Sequence, residues 1–509
     1  MTPEKYNAAT MIDANLEAGR GEKTAIYSGD ERITYNDLFN RVCAMGRGLR
    51  ALGVARENRV LLILGDTAAF PVSFFGGLRI GAVPVPINPL YKASDYRFFL
   101  EDSCARVVIT EAAWLDKLSQ ALYGYDEEIT VINADGAAPN AYSMADLLAA
   151  HGGPLSAAGV HREDMAFWLY SSGSTGRPKG VVHLHQDIPA TCETYARHVL
   201  RLTEDDIVLG RVLFHAYGLG AALTFPFSCG ASTVFAPGKP TPSAILDVVE
   251  RYRPTVMFLV PTLYNAILND EAAAARDLSS LRLCVSAAES LAPETWLRWK
   301  ETFGQTILDG IGSTEMLHIF CSNTLEEHRP GSSGKPVPGY ELRILDDNGK
   351  PAPAGEAGNL FVKGASAAPF YWRQREKSRR VMQGDWTATG DRYRVDEDGF
   401  YWYEGRADDM LKVGGEWVSP IEIENVLMEH PSVREVAVVG VPVDGVMRVR
   451  AVIITQQASE TPLKAELQEW CKTRLQRFQY PHIIDFVDEL PKTATGKIQR
   501  YKLRESGEP

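Results

Sequence analysis

Three features of the sequence predict an α/β protein with parallel sheets, a β-rich subdomain and a final α+β unit. Strand-like and helix-like segments alternate through most of the chain, the pattern of parallel strands covered by helices. The texture changes after about Gly339, where short strand-like runs are joined by Gly and Asp turns. A last unit begins near Asp408 and mixes strands with one long helical run. In order, Tyr35–Leu52 has helical spacing and stops at Gly53. Val60–Leu64 suits a buried strand, Thr67–Ile80 a helix, and Ala82–Pro86 an extended, Pro-bounded segment. Arg106–Thr110 and Ile129–Ile132 repeat the strand pattern. Glu341–Leu345, Gly358–Val362 and Phe400–Tyr403 belong to the β-rich part. Strands at Val436–Val441, Arg450–Thr455 and Ile483–Val487, with a helix at Pro462–Phe478, form the last unit. Gly405-Arg406-Ala407-Asp408-Asp409 marks the boundary, dividing the chain into residues 1–407 and 408–509.

The chain has 509 residues, 45% hydrophobic and 23% charged, with a formal net charge of -12. That balance argues against a nucleic-acid binder held by a broad basic surface. The 7 cysteines are scattered without zinc or dithiol spacing, the pattern of reduced cytoplasmic thiols. The N-terminus lacks the apolar core of a signal peptide. The most apolar stretch, Val60–Leu78, carries Asp66 and Pro71 and reads as strand, turn and helix, so no membrane span is expected. Oligomeric state is not readable; a homodimer is compatible with the sequence.

Tyr170-Ser-Ser-Gly-Ser-Thr-Gly-Arg-Pro-Lys-Gly180 is the most informative segment. Its glycines (Gly173, Gly176, Gly180) allow a loop to turn several backbone N–H groups toward one anion. Ser172, Ser174 and Thr175 add donors and Lys179 adds a full charge, a set suited to a polyphosphate. Gly180 follows Lys179 where a Walker A motif has Ser or Thr, so this is not a P-loop NTPase. Phe167-Trp168-Leu169 and Val181-Val182 clamp the loop between strand-like runs, which argues against a surface linker.

Five further segments follow in order: Phe214-His215-Ala216-Tyr217-Gly218, Gly310-Ile311-Gly312-Ser313-Thr314-Glu315, Thr389-Gly390-Asp391, Gly405–Asp409, and Pro491-Lys492-Thr493-Ala494-Thr495-Gly496-Lys497. The set resembles the adenylate-forming superfamily of acyl-CoA synthetases, peptide-synthetase adenylation domains and firefly luciferase, over nearly the whole chain. The resemblance implies a large N-terminal domain, a small mobile C-terminal domain, and a two-step reaction. A carboxylate attacks the α-phosphate of ATP, and a thiol then displaces AMP from the acyl-adenylate. Two anions must meet, so the site has to supply positive charge. By resemblance, Lys497 bridges carboxylate and phosphate oxygens. Lys179, Thr175 and the Ser172–Gly176 loop hold phosphates, Thr314 adds a hydroxyl, and Glu315 holds Mg2+, a cation that prefers oxygen ligands. A first-turn carboxylate on a helix over Glu315–Phe320 is the competing reading of Glu315. Asp391 accepts from the ribose hydroxyls and Arg406 reaches the nucleotide. Ala287-Ala288-Glu289 and Asp309-Gly310-Ile311 enclose adenine. Asp408 is the hinge, with Lys412, Gly414 and Gly415 serving the thioester step.

A nearer resemblance is to benzoate-CoA ligases, carried by Ala216–Gly220, Asp309–Phe320, and Tyr371-Trp372 with the basic run to Arg380. It implies an aryl pocket lined by Ala216, Tyr217, His318 and Ile319, with Gly312 beneath the ring and His215 beside it. A flat ring suits a glycine floor and an aromatic wall. His215, Cys321 and Val446–Arg450 depart from that family's usual residues, leaving the ring substituent and the docking of coenzyme A open. The basic run Arg373–Arg380 is assigned no ligand.

The expected activity is an aryl acid:CoA ligase using ATP, Mg2+ and coenzyme A. The alternatives are an enzyme that loads a carrier-protein thiol, a ligase for cyclic or aliphatic acids, and a non-catalytic AMP sensor. Twelve residues follow Lys497 (509 minus 497), which favours coenzyme A over a tethered carrier. Lys179, Glu315, Asp391 and Lys497 together argue against the sensor.

Overall fold

The parallel strands predicted from alternation form two sheets. The computed structural model describes residues 2–171, 177–236, 238–407, 409–413, 416–443, 446–455, 460–476, 479–492 and 498–505. One sheet has five parallel strands in the order Val83–Pro86, Arg59–Ile63, Val107–Thr110, Thr130–Asn133 and Tyr142–Ser143. Val60 to Ile63 are fully buried, as a strand covered on both faces requires. The helix Tyr35–Ala51 begins at a capping box in which Thr34 and Asp37 satisfy each other's backbone N–H. Ala69–Arg79 packs beside it and buries Phe70, Phe74 and Phe75, each contributing roughly 1.5–3 kcal/mol of apolar burial.

The second sheet has nine strands, and it positions the site. Its order is Lys335–Pro336, Ile319–Ser322, Ile307–Gly312, Leu283–Ser286, Val256–Leu259, Ile207–Leu209, Ser232–Phe235, Thr24–Ser28 and Glu31–Thr34. The centre is parallel and both ends are antiparallel. Leu259, Ser286 and Asp309 stand side by side in register near the carboxyl ends of their strands. Open α/β sheets bind ligands beyond that edge.

After Gly339 an antiparallel sheet appears: Glu341–Leu345, Gly358–Lys363, Trp386–Val395 and Met382–Gln383, with Tyr401–Arg406 paired to Trp386–Val395. The last unit pairs Val433–Val443, Val446–Thr455 and Ile483–Phe486 beneath the helices Pro420–Met428 and Glu460–Lys472. Its core is its own, built from Leu427, Val438, Val449, Ala451 and Leu467. Arg500 Nη2 donates to both carboxylate oxygens of Glu424, at 2.7 and 2.8 Å, and Glu424 also accepts from the Val438 N–H. A backbone bridge between Lys492 and Ile498 ties the two flanks of the Lys497 segment together.

One expectation fails. Thr314–Met316 is a single 3-10 turn, and Ile319–Ser322 is a strand, so no helix runs over Glu315–Phe320. Leu317, at φ 67, turns the chain out of any helical path.

Candidate active site

Two hairpins and one crossing segment bring the charged residues of the candidate site together. Met165–Ser171 pairs antiparallel with Lys179–Leu184, and Ser171 faces Lys179 at the last pair before the loop. Ser172, Gly173, Ser174, Thr175 and Gly176 lie outside the described residues. Phe370–Trp372 runs along the outer edge of Lys179–Leu184. Val182 N–H donates to the Phe370 carbonyl at 3.2 Å, Trp372 N–H donates to the Gly180 carbonyl at 2.8 Å, and Val181 bridges Tyr371. This brings three side chains together. Lys179 Nζ is 2.8 Å from Glu315 Oε1 and 2.8 Å from the Tyr371 hydroxyl, which donates to the same Glu315 oxygen at 2.8 Å. Lys179 Nζ also lies 4.2 Å from the centre of the Tyr371 ring.

Burial favours the neutral form of Glu315, but the charge and hydrogen bond of Lys179 and the Tyr371 hydroxyl outweigh it and hold the carboxyl down at about 2. Burial and the Glu315 charge push the Tyr371 phenol far above its ordinary value, so it remains a donor. The sequence places Tyr371 only within a run that resembles benzoate-CoA ligases; its contact with both groups arises from the fold. Lys377, in the helix Arg375–Val381, completes the cationic surroundings: burial and the nearby Lys179 charge lower its pKa.

The hairpin of Ile307–Gly312 and Ile319–Ser322 carries most of the rest. Asp309, Gly310 and Ile311 lie on its first strand, Thr314 and Glu315 in its turn, and His318 and Ile319 at the return. His318 is buried, and its Nε2 donates to the Tyr217 carbonyl at 3.1 Å. Its ring packs against Phe225, Tyr195 and Tyr217 at 4.4, 5.3 and 5.6 Å. Burial pushes its pKa down to about 3, so the imidazole is neutral. Two glycines make room for it. A Cβ at Gly220 would stand 2.3 Å from His318 Cδ2, and one at Gly312 would stand 2.5 Å from the His318 carbonyl oxygen. At Gly312 the close neighbour is the His318 backbone, and the need for Gly220 emerges only from the packing.

Ala216 and Tyr217 open a short helix after His215, whose Nδ1 accepts from the Tyr217 N–H at 3.4 Å. The Tyr217 hydroxyl donates to the carbonyls of Leu259 and Val285 at 3.2 and 3.0 Å. The phenol is thereby pinned to the carboxyl edge of the parallel sheet. The result is an aromatic wall around neutral His318, three residues from the charged corner at Glu315.

Asp391 faces Arg406 across paired strands, with Arg406 Nη1 donating to Asp391 Oδ1 and to the Thr389 carbonyl, both at 3.1 Å. Gly390, inside the strand Trp386–Val395, takes φ 77, and a Cβ there would come 2.8 Å from the Arg406 guanidinium. Ala288 adopts φ 78, a region costly for alanine. The Glu289 carboxylate accepts from the Thr262 hydroxyl at 2.8 Å and so holds the start of the helix Pro261–Leu268. Asp309 is buried beside Ser286, and burial raises its pKa strongly. Lys412 lies in the strand Leu411–Val413. Asp408, Gly414, Gly415 and Lys497 lie outside the described residues.

A family model described as AMP-binding enzyme matches residues 13–372, and one described as AMP-binding enzyme C-terminal domain matches residues 422–497. The chain belongs to the AMP-binding enzyme family. This AMP-binding enzyme is 44% identical over 509 residues to a benzoate--CoA ligase of Thauera aromatica, covering 99% of the chain and 96% of that protein. It is 41% identical to a 4-hydroxybenzoate--CoA/benzoate--CoA ligase of Rhodopseudomonas palustris, covering 98% and 94%. Among solved structures, an anthranilate CoA ligase in complex with anthranoyl-AMP superposes with a TM-score of 0.96 at 42% identity, covering 100% of this chain and 98% of that one. A benzoate CoA ligase of Burkholderia xenovorans superposes at 0.92 with 43% identity, covering 98% and 100%. The adenylate-forming architecture and the likeness to benzoate-CoA ligases therefore run along the full length of this AMP-binding enzyme. No helix among its described residues is long and apolar enough to cross a membrane.

Proposed function

We propose that the protein is an AMP-forming aryl acid:CoA ligase that takes benzoate or a substituted benzoate. The observation that carries this reading is that one hairpin holds Glu315, in a charged corner with Lys179 and Tyr371, three residues from neutral His318, which is bonded to Tyr217. An acid with a flat apolar ring and a carboxylate needs those two environments side by side.

In the first step a carboxylate oxygen of the acid forms a bond to the α-phosphorus of ATP, and the α–β bridging bond breaks to release pyrophosphate. Lys179 and Lys497 neutralise the meeting anions, and the loop from Ser172 through Gly176, Thr175 among them, cradles the phosphates. Thr314 donates to phosphate. Asp391 holds the ribose hydroxyls, with Arg406 keeping its carboxylate in place. Adenine lies against Ala287, Ala288, Glu289 and Asp309 to Ile311. The ring of the acid rests among His215, Ala216, Tyr217, Gly312, His318 and Ile319. In the second step the thiol of coenzyme A attacks the carbonyl carbon of the adenylate and AMP leaves. Residues 408–509 turn about Asp408 between the steps, withdrawing Lys497 and presenting Lys412, Gly414 and Gly415.

The donors fit Mg2+ held through nucleotide. Among the described residues no group of three or more His, Cys, Asp or Glu could cage a metal ion. Mg2+ is commonly bound by one or two carboxylates plus substrate phosphates. Glu315 offers one such carboxylate, and its Oε1 is already occupied by protein donors. When bound, the ion would offset phosphate charge.

The test is pyrophosphate release with Mg-ATP across benzoate, hydroxy- and aminobenzoates, cyclohexanecarboxylate, coumarate and short fatty acids, each with and without coenzyme A. We expect coenzyme A-dependent turnover on benzoates. Turnover confined to aliphatic acids would overturn the aryl pocket. An adenylate that coenzyme A cannot discharge would point to a carrier-protein thiol.

A further inference from the structure

The chain buries one histidine–carboxylate pair that the chemistry above leaves unused. The side chains of His183 and Asp187 are 0% exposed, with His183 Nδ1 2.9 Å from Asp187 Oδ2. The other ring nitrogen, Nε2, is 2.8 Å from the carbonyl oxygen of Thr314. A carbonyl only accepts, so Nε2 carries hydrogen and donates. Asp187 Oδ2 also accepts from the Leu184 N–H at 2.9 Å, and the imidazole stacks on Phe167 at 5.2 Å. The ring is thus fixed on both edges and one face.

Lys179 and His183 lie on the same strand, four residues apart, and so share a face. That face meets the Glu315 turn twice: Lys179 at the carboxylate tip, and His183 at the backbone carbonyl just before Glu315. The following carbonyls are held as well. Glu315 O accepts from the Ala368 N–H and Met316 O from the Ser366 hydroxyl, each at 2.8 Å. Of these three anchors, His183 is the one contributed by the strand that carries Lys179. Stability alone gives little reason for a buried ionisable pair, since apolar replacements of similar volume are often neutral or stabilising. A directed bond to one backbone carbonyl does.

We propose that His183, oriented by Asp187, is a positioning residue for the phosphate end of the site. It locks the Thr314–Glu315 peptide to the Lys179 strand, so that carboxylate and ammonium face the polyphosphate in one preset arrangement. The inference rests on the reading of Lys179 and Glu315 as ATP-site groups.

His183→Phe keeps a ring stacked on Phe167 but removes the donor, whereas His183→Gln retains a donor near the Nε2 position. Mg-ATP affinity would be read by titration calorimetry, adenylate formation by single turnover, and the benzoate KM in steady state. We expect His183→Phe to weaken Mg-ATP binding and slow adenylation by about tenfold each, the equivalent of one hydrogen bond, with the benzoate KM unchanged. His183→Gln should recover most of both. Native Mg-ATP affinity and adenylation in folded His183→Phe would overturn the proposal. So would a benzoate KM that rises as much as the Mg-ATP Kd, or a failure of His183→Gln to restore either quantity. If His183→Phe does not fold, the near-isosteric Asp187→Asn carries the test: a loss of about threefold in the same two quantities supports the role, and native values overturn it. Glu315→Gln is the control for the underlying reading. Mg-ATP binding of native strength there would sink the Glu315 assignment itself, independently of His183.

Discussion

Glu315 and His318 lie three residues apart in one turn, both within the protein, and burial drives both toward neutrality. They end in opposite states. His318 meets a carbonyl and aromatic rings and is held neutral, with its pKa near 3. Glu315 meets an ammonium and a phenol and stays ionised, with its pKa near 2. Burial therefore does not decide charge at this site; the partners do. The same few residues thus build a charged corner and an uncharged wall.

The strongest way to break this contrast is to remove the cation. Lys179→Met leaves the Glu315 carboxylate buried without its partner. Adenylation should fall about 10²–10³-fold, as when one preorganised charge-stabilising donor is lost, and stability by about 3 kcal/mol. Quenched-flow pyrophosphate release and urea denaturation would show both; an unchanged denaturation midpoint would mean that the pair carries no structural weight.

Gly220→Ala attacks the neutral side. Its Cβ would collide with His318, so we expect a cost of about 1–3 kcal/mol from overpacking. The benzoate KM should rise while Mg-ATP affinity is kept. A parallel rise in the Mg-ATP Kd would show that the two ends are not separable.

The pH dependence sharpens the comparison, because the two groups act in different windows. The folded-state pKa of His318 lies below its ordinary 6.5, so its contribution to stability is present above pH 6.5 and is lost as pH falls toward 3. Glu315 contributes above pH 4.5 and loses that contribution as pH falls toward 2. His318→Gln, whose amide can still donate to the Tyr217 carbonyl, should flatten the melting-temperature profile between pH 6.5 and 4.5. A residual slope should remain from buried His185, whose pKa is pushed down to about 4. An identical profile in variant and native protein would count against a neutral, buried His318.

Tyr371→Phe is the mildest change. It removes one hydroxyl but leaves the Lys179–Glu315 pair, so about 1 kcal/mol and a few-fold slower adenylation are expected. Single-turnover rates would check this, and a loss as large as that of Lys179→Met would make the phenol more than a support.

Where the sequence was legible, the physics was local. Alternating runs such as Val60–Leu64 and Arg106–Thr110 became parallel strands because short apolar segments bounded by turns have few other ways to be buried. Lys179 could be picked out because its glycine-rich, hydroxyl-rich loop suits a polyphosphate, whereas Glu315 was singled out through the resemblance to the adenylate-forming superfamily. The failed helix over Glu315–Phe320 shows the limit of that approach. Met316–Cys321 is a short apolar run, which periodicity alone cannot assign to strand or helix, and pairing with Ile307–Gly312 decided it. Tyr371 and Gly220 were hidden for a related reason. The first reaches Lys179 through a bridge to Val181, and the second is required by the ring of His318. Both partners are remote in sequence, and no local pattern records them.

The hairpin of Ile307–Gly312 and Ile319–Ser322 also bears on how such an enzyme can diverge. On the proposed reading, residues for nucleotide and residues for the acid are interleaved on it, so a substitution that reshapes the ring pocket from this side would disturb the phosphate chemistry a few positions away. The segment His215–Gly220 lies off that hairpin, although packing fixes Gly218 and Gly220. Changes of preferred acid should therefore accumulate more freely at its other positions, with the hairpin acting as the conservative partner in any drift of substrate range.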